Sequence, residues 1–319
     1  MALRTGNVGT VVGMIAAAAA VSSYSGADWR RIPVDQAARE ALVAEGKAHT
    51  FVQTRGGVIH VRTAGPKTGP VVMLVHGGVV GGQAFANWMT PLAEAGYRVV
   101  VPDLLGYGYS DRPDTPYTRE FYLGQLRGLI DAFGIDKPLN VAGASFGGIV
   151  VAEFAVENPE DVASVALMAP AGLGKGGVVN PVLLLPVIGD WVFRVLGADI
   201  VTRQMATAYA GSPDQRAMLD WMAEQSKYRG FAEGILNSLR HYDFEWRPDV
   251  YQVLGRSGIP VFAAWGTEDA VHPYERAQVL QRYVPQTTLL TLESAGHAIT
   301  YGRAEDVLGG YGQFLRDRR

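Results

Sequence analysis

Six short, nearly continuous apolar runs, separated by segments of helical spacing, limit what this chain can become more than any other feature. "PVVMLV" (70–75), "YRVVVPD" (97–103), "LNVAGAS" (139–145), "VASVALMAP" (162–170), "PVFAAWG" (260–266) and "TLLTLES" (288–294) have the length and content of strands. A strand buried on both faces loses the apolar/polar alternation of a half-exposed one, because neither side of its pleat meets water. Between these runs, 87–96, 118–134 and 146–158 carry apolar residues at helical spacing and end at Gly96, Gly134 and Pro159. Strand and helix in alternation predict an α/β fold, a mostly parallel central sheet with helices on both faces. Ahead of it, "HTFVQTRGGVIHVRTAG" (49–65) reads as a hairpin turning at Gly56-Gly57.

The alternation breaks once. From 171 to about 256 there are helical segments, among them "PVLLLPVIGDWVFRVLG" (181–197), and no convincing strand. This predicts a helical cap, 171–256, inserted into a core made of 27–170 and 257–319. The first 26 residues are set apart from that fold. No charge occurs from Thr5 to Ala27, and "VVGMIAAAAAV" gives way to "SSYSG", the pattern of a signal peptide or an uncleaved membrane anchor. The expectation is therefore an exported or membrane-anchored protein. An Ala-rich soluble helix is the plainer alternative.

Composition narrows the chemistry. A net charge of −3 with 18% charged residues gives no electrostatic footprint for nucleic acid, so a small or apolar partner is expected. There is no cysteine, which removes disulfides, thiolate metal sites and cysteine nucleophiles. The six histidines form no H-E-x-x-H cluster, and neither metal nor cofactor is expected.

In open α/β sheets, ligands bind beyond the carboxyl ends of the strands. The unusual loops of this chain sit there: "HGG" (76–78), "DLLGYGYSD" (103–111), "GASFGG" (143–148), "GTEDAVHP" (266–273) and "SAGH" (294–297). Gly143-Ala144-Ser145-Phe146-Gly147 is G-x-S-x-G between a strand and a helix, a turn sharp enough to expose the serine hydroxyl. Taken alone, Ser145 could equally cap the helix. A serine nucleophile needs a base, and the base an orienting acid. His297 and Asp269, each after its own strand, supply these types in the order Ser, Asp, His.

Over 51–315 the sequence resembles the α/β-hydrolase superfamily, on the strength of "HGG", "PDLLGYGYSDRP", "GASFGG", "WGTEDAVHP" and "AGH". The resemblance implies Ser145 as nucleophile, Asp269 as acid and His297 as base, with neighbouring Glu268 an exposed rival. It also implies an oxyanion hole from the backbone N–H groups of Phe146 and Gly78, or Val79 in place of the latter. His76 and Asp103 read as loop braces and His272 as a helix-start residue, while His49, His60 and His241 have no motif around them. The implied activity is hydrolysis of carboxylic esters, lipid-like or medium-chain, without cofactor. The large apolar residues of 182–196, with Trp221, Met222 and Phe231, would either wall an acyl pocket or pack the cap onto the core. The run "PVIGDWVFRVLG" is loosely similar to caps of membrane-associated monoacylglycerol-type lipases. Carbon-carbon hydrolases of ring-fission products and cofactor-free perhydrolases are the alternatives. The former typically have Asn and Met where Ala144 and Phe146 stand. Epoxide hydrolases and haloalkane dehalogenases have aspartate in place of Ser145, and proline iminopeptidases follow "HGG" with Pro-Gly. A non-catalytic binding protein of this fold would be expected to lack a triad member.

Overall fold

The computed structural model describes residues 6–45, 49–174, 181–209 and 215–318. The apolar runs form strands β3 (Val71–Val75), β4 (Arg98–Pro102), β5 (Leu139–Ala144), β6 (Val162–Met168), β7 (Val261–Gly266) and β8 (Thr287–Leu292), and the predicted hairpin forms β1 (Thr50–Thr54) and β2 (Gly57–Ala64). All eight join one sheet in the order β1-β2-β4-β3-β5-β6-β7-β8. β2 runs antiparallel to β1 and β4, and the remaining pairs are parallel. Every residue of β3 and of β7 is buried, as the unbroken apolar runs require. Each large aliphatic side chain so enclosed contributes roughly 1.5–3 kcal/mol relative to exposure.

β3 is the pivot of the topology. The chain leaves it to build β4 on one side and later returns to build β5 on the other. Loops leaving β3 and β5 therefore diverge and open a crevice at the carboxyl end of the sheet, the place where such sheets bind ligands.

Helix Arg119–Phe133 begins and ends as the sequence reads: Thr118 Oγ1 accepts from Phe121 N at 3.3 Å, and Gly134 closes it with φ of 59°. The segment expected to be helical over 87–96 starts earlier, as a 3-10 helix Gly81–Trp88 that passes into helix Met89–Glu94. Its anchor is Trp88, fully buried, whose Nε1 donates to Thr300 O at 2.7 Å. Helix Phe146–Glu157 lies almost wholly inside the molecule. Its one buried carboxylate, Glu153, accepts from Tyr242 Oη (2.5 Å) and Arg247 Nη1 (2.6 Å), which ties the helix to the end of the inserted segment.

That insertion contains helices Ile188–Ala208, Gln215–Gln225 and Phe231–His241, the first packed against the other two. Helix Pro248–Arg256, also within 171–256, packs instead on helices Phe146–Glu157 and Glu275–Tyr283. Extended pairing in this region is confined, among the described residues, to two isolated bridges, Leu173 with Trp246 and Tyr228 with Ile32. The N-terminal residues form one helix, Gly6–Trp29, which runs past the leader boundary expected at 26 and lies against helix Ile188–Ala208. Trp191 Nε1 donates to Ala20 O and Ser23 Oγ, both at 3.1 Å, and the Arg194 guanidinium stacks 4.2 Å over the Tyr24 ring. Among the described residues no helix is long and apolar enough to cross a membrane.

Two glycines on helices separate backbone cost from steric need. At Gly124, inside helix Arg119–Phe133, an added Cβ meets nothing within 4 Å; at Gly147 it would stand 2.2 Å from Val75 O. Gly124→Ala is expected to stabilise the protein by about 0.5–1 kcal/mol. Gly147→Ala should lower stability by at least about 3 kcal/mol through forced displacement of β3 or the helix. Urea unfolding of the two variants gives the test, and equal midpoints would contradict it.

Candidate active site

Ser145 sits between β5 and helix Phe146–Glu157 with φ of 52° and ψ of −117°, a conformation that costs a non-glycine residue of order 1–3 kcal/mol. Its backbone is pinned from both directions. Ser145 N donates to Met168 O (2.9 Å), while Ser145 O accepts from Gly148 N and Ala171 N, both at 3.0 Å. The flanking glycines are a steric necessity: a Cβ at Gly143 would lie 2.2 Å from Gly147 O. Compression of this turn leaves the hydroxyl partly exposed at the helix N-terminus, where the first N–H groups have no partner within the helix.

The loops after β7 and β8 are pressed together in the same manner. A Cβ at Gly266 would stand 2.1 Å from Ala295 O, and this proximity delivers Asp269 to His297. His297 Nδ1 donates to Asp269 Oδ2 at 2.7 Å, while Asp269 Oδ1 accepts from Val271 N (2.9 Å) and His272 N (2.7 Å). Burial opposes the charge on Asp269, but the hydrogen bond and field of His297, with the His272 N–H, outweigh it and hold the carboxyl below its usual range. With Nδ1 engaged as donor, Nε2 of His297 carries the lone pair. Glu268 is exposed, as expected of the rival carboxylate. Ser145 and His297 line one cavity, yet among the described residues no hydrogen bond joins them, the looser arrangement common without substrate.

The loop after β3 runs against the serine. Positions where Cβ atoms would sit on Gly77 and Gly78 face Ser145 Cβ at 3.4 Å and Phe146 Cβ at 3.8 Å. His76 braces this loop, as its place suggests. Its Nε2 accepts from Leu104 N (2.8 Å), so Nδ1 is the donor to Gly77 O (2.6 Å), and burial keeps the ring neutral. Asp103 is a brace too: it accepts from Gly82 N (2.6 Å), Tyr109 N (3.0 Å) and His60 Nδ1 (2.7 Å). His60 thus has a definite partner that no motif announced, and its other nitrogen meets His49 Nδ1 at 2.8 Å.

Over these loops lies a cavity of about 380 Å³, walled below by Gly77, Gly78, Ser145, Phe146 and His297 and above by the inserted helices. Leu183 and Phe193, from the apolar run expected to wall a pocket, do line it, together with Val201, Met205 and Ile235. Trp221, Met222 and Phe231 are not among its lining residues: Met222 and Phe231 are core, and Trp221 Nε1 donates to Val80 O at 2.8 Å, fastening the insertion to the loop after β3. Among the described lining residues none is Lys, Arg, Asp or Glu. Polar groups are few, and two of them are bonded together, Tyr107 Oη and Ser238 Oγ at 2.6 Å. The Phe146 ring packs edge-to-face against both Tyr122 and Tyr242, with centroids 4.9 Å apart in each case.

His272 corrects an expectation. Helix Glu275–Tyr283 begins three residues later, and His272 is 5% exposed, lines the cavity, and packs its ring against that of His297 with centroids 4.9 Å apart. Its Nδ1 lies 2.7 Å from Ala169 O.

Comparison with known proteins agrees with this architecture. The family described as alpha/beta hydrolase fold matches residues 70–303. A 2-hydroxy-6-oxo-6-phenylhexa-2,4-dienoate hydrolase of Burkholderia cepacia is 29% identical over 260 residues, 77% of this chain and 87% of that protein. Among solved structures, an enol-lactonase from Burkholderia xenovorans LB400 superposes with a TM-score of 0.72 at 20% identity, covering 84% of this chain and 100% of the other. An esterase from Thermogutta terrifontis does so with a TM-score of 0.71 at 22% identity, covering 85% and 99%.

Burial and the adjoining His297 push His272 from an ordinary 6.5 down to about 4. Between those values the unfolded chain binds a proton on this ring that the folded protein does not, so the contribution to stability is complete above about pH 6.5 and is lost as pH falls toward 4. Acidification from pH 7 to 4.5 should remove roughly 2–3 kcal/mol through this residue. His272→Asn should show a correspondingly shallower decline in urea unfolding across that range, and parallel declines would refute the assignment.

Proposed function

The chain belongs to the alpha/beta hydrolase fold family, and from that premise we propose that it is a serine hydrolase of carboxylic esters whose acyl part is apolar and of medium length. The observation that carries the reading is a strained, partly exposed serine sharing one apolar cavity with a histidine whose far nitrogen is held by a buried aspartate. Substrates of this family's hydrolases are small molecules, and a cavity of about 380 Å³ suits one.

The proposed steps use this geometry. Ser145 Oγ attacks the ester carbonyl as His297 Nε2 takes its proton, and Asp269 steadies the imidazolium through Nδ1. The oxyanion that forms lies between the loop after β3 and the first turn of the helix, where the N–H groups of Gly78 and Phe146 donate to it. Such donors are worth about 3–4 kcal/mol apiece, since they are fixed before charge develops. His297 then returns the proton to the departing alcohol, and water releases the acid from Ser145.

Cleavage of a carbon-carbon bond is the second reading, supported by the relative that is named as a dienoate hydrolase. A dienoate brings a carboxylate, and burying one without a cation or several N–H donors is costly. The lack of Lys or Arg among the described lining residues favours the neutral ester.

The wild-type chain is expected to hydrolyse p-nitrophenyl esters, with an optimum between acetate and palmitate. Ser145→Ala should lose at least about 10³-fold in kcat, and an acyl adduct on Ser145 should be seen by mass spectrometry. No turnover on any ester by a folded protein that cleaves a 2-hydroxy-6-oxo-dienoate would replace the first reading with the second.

A further inference from the structure

His272 is more firmly held than a lining residue needs to be. Its N–H donates to Asp269 Oδ1 (2.7 Å), its carbonyl accepts from Trp265 Nε1 (2.7 Å), and its Nδ1 is bonded to Ala169 O (2.7 Å). A carbonyl oxygen can only accept, so Nδ1 bears the proton and Nε2 is left with a lone pair. Among the described residues Nε2 has no partner, and the ring forms part of the wall shared with Ser145 and His297. An acceptor of this kind, open to a cavity otherwise lined mainly by carbon, is available to a donor on a molecule held there.

Resting on the serine-hydrolase reading, we propose that His272 holds the hydrolytic water in the second half of the reaction, accepting its second hydrogen at Nε2 while His297 removes the first. Water has two O–H groups and uses only one when it attacks. Its oxygen bonds to the acyl carbon, one proton passes to His297 Nε2, and the other stays on oxygen, directed at His272. Collapse of the intermediate breaks the bond to Ser145 Oγ, which takes the proton back from His297, and the free acid leaves. His272 neither gains nor loses a proton. Burial beside His297 makes it a poor base, so it orients the water without competing for it.

Methanol separates this role from a structural one. It has a single O–H, which His297 consumes, and therefore needs no second acceptor. The test is the partition of the acyl-enzyme: full-length protein turning over p-nitrophenyl butyrate at a series of methanol concentrations, with methyl butyrate and butyrate quantified. His272→Asn keeps a group able to reach Ala169 O but removes the acceptor at the Nε2 position, and it should raise the ratio of methyl ester to acid about tenfold. Labelling of Ser145 by a fluorophosphonate, which needs no water, should stay within about twofold of wild type. His272→Gln, whose amide reaches the Nε2 position, should return the ratio toward wild type, and His272→Leu should match Asn if the Asn variant does not fold. An unchanged ratio in the folded Asn or Leu variant with normal labelling would overturn the proposal alone, as would a Gln variant that behaves like Asn or Leu. No release of p-nitrophenolate by the wild type would overturn the ester reading beneath it.

Discussion

The end of β3 and the first turn of helix Phe146–Glu157 approach until no side-chain atom fits between them, and the candidate site depends on that contact. Gly147 lies with the carbonyls of Val75 and His76 where its Cβ would be. Because the helix is this close, the turn at Ser145 has to be abrupt, and abruptness is what lifts the hydroxyl out of the sheet. The same approach places Gly77 and Gly78 beside Ser145 and Phe146. A second backbone contact, Gly266 against Ala295, does for Asp269 and His297 what the first does for the serine. Geometry at the candidate site is thus inherited from main chain packed on main chain, the least deformable part of a protein.

Two buried carboxylates have nearly the same surroundings and opposite fates. Asp103 accepts two backbone N–H groups and a histidine Nδ1, and so does Asp269. What differs is the far side of each histidine. His60 turns its Nε2 to His49 inside the protein, whereas the His297 ring borders the cavity. An Asp-His pair is therefore a structural part that the fold uses twice, and of the two histidines only His297 borders the cavity. Asp103, drawn far below the usual carboxylate range by His60 and Arg62 in spite of its burial, serves the loops on which the cavity floor rests.

What the sequence discloses is what local pattern determines. Apolar runs mark β3 to β8, the glycines around Ser145 mark the turn, and Asp269 and His297 stand out because each follows its own strand. Partners far apart in sequence are hidden. The acceptor for His272 is Ala169, 103 positions away, and nothing in "DAVHP" signals it. The inserted helices are ambiguous for another reason, since an apolar helix has more than one face to bury: in one turn Trp191 serves the N-terminal helix and Phe193 the cavity. Helical spacing gives the period of such a stripe but not the identity of what covers it.

The seat of the N-terminal helix also sets an order of events in time. Its contact from Ala20 to Trp191 spans 171 positions, so the helix cannot dock until the residues between them have been made. At about 5–20 residues per second this leaves it without its partner for roughly 10–35 seconds of each synthesis. During that interval an uncharged, alanine-rich segment is available to whatever meets the ribosome exit, and only afterwards does the helix above the cavity compete for it.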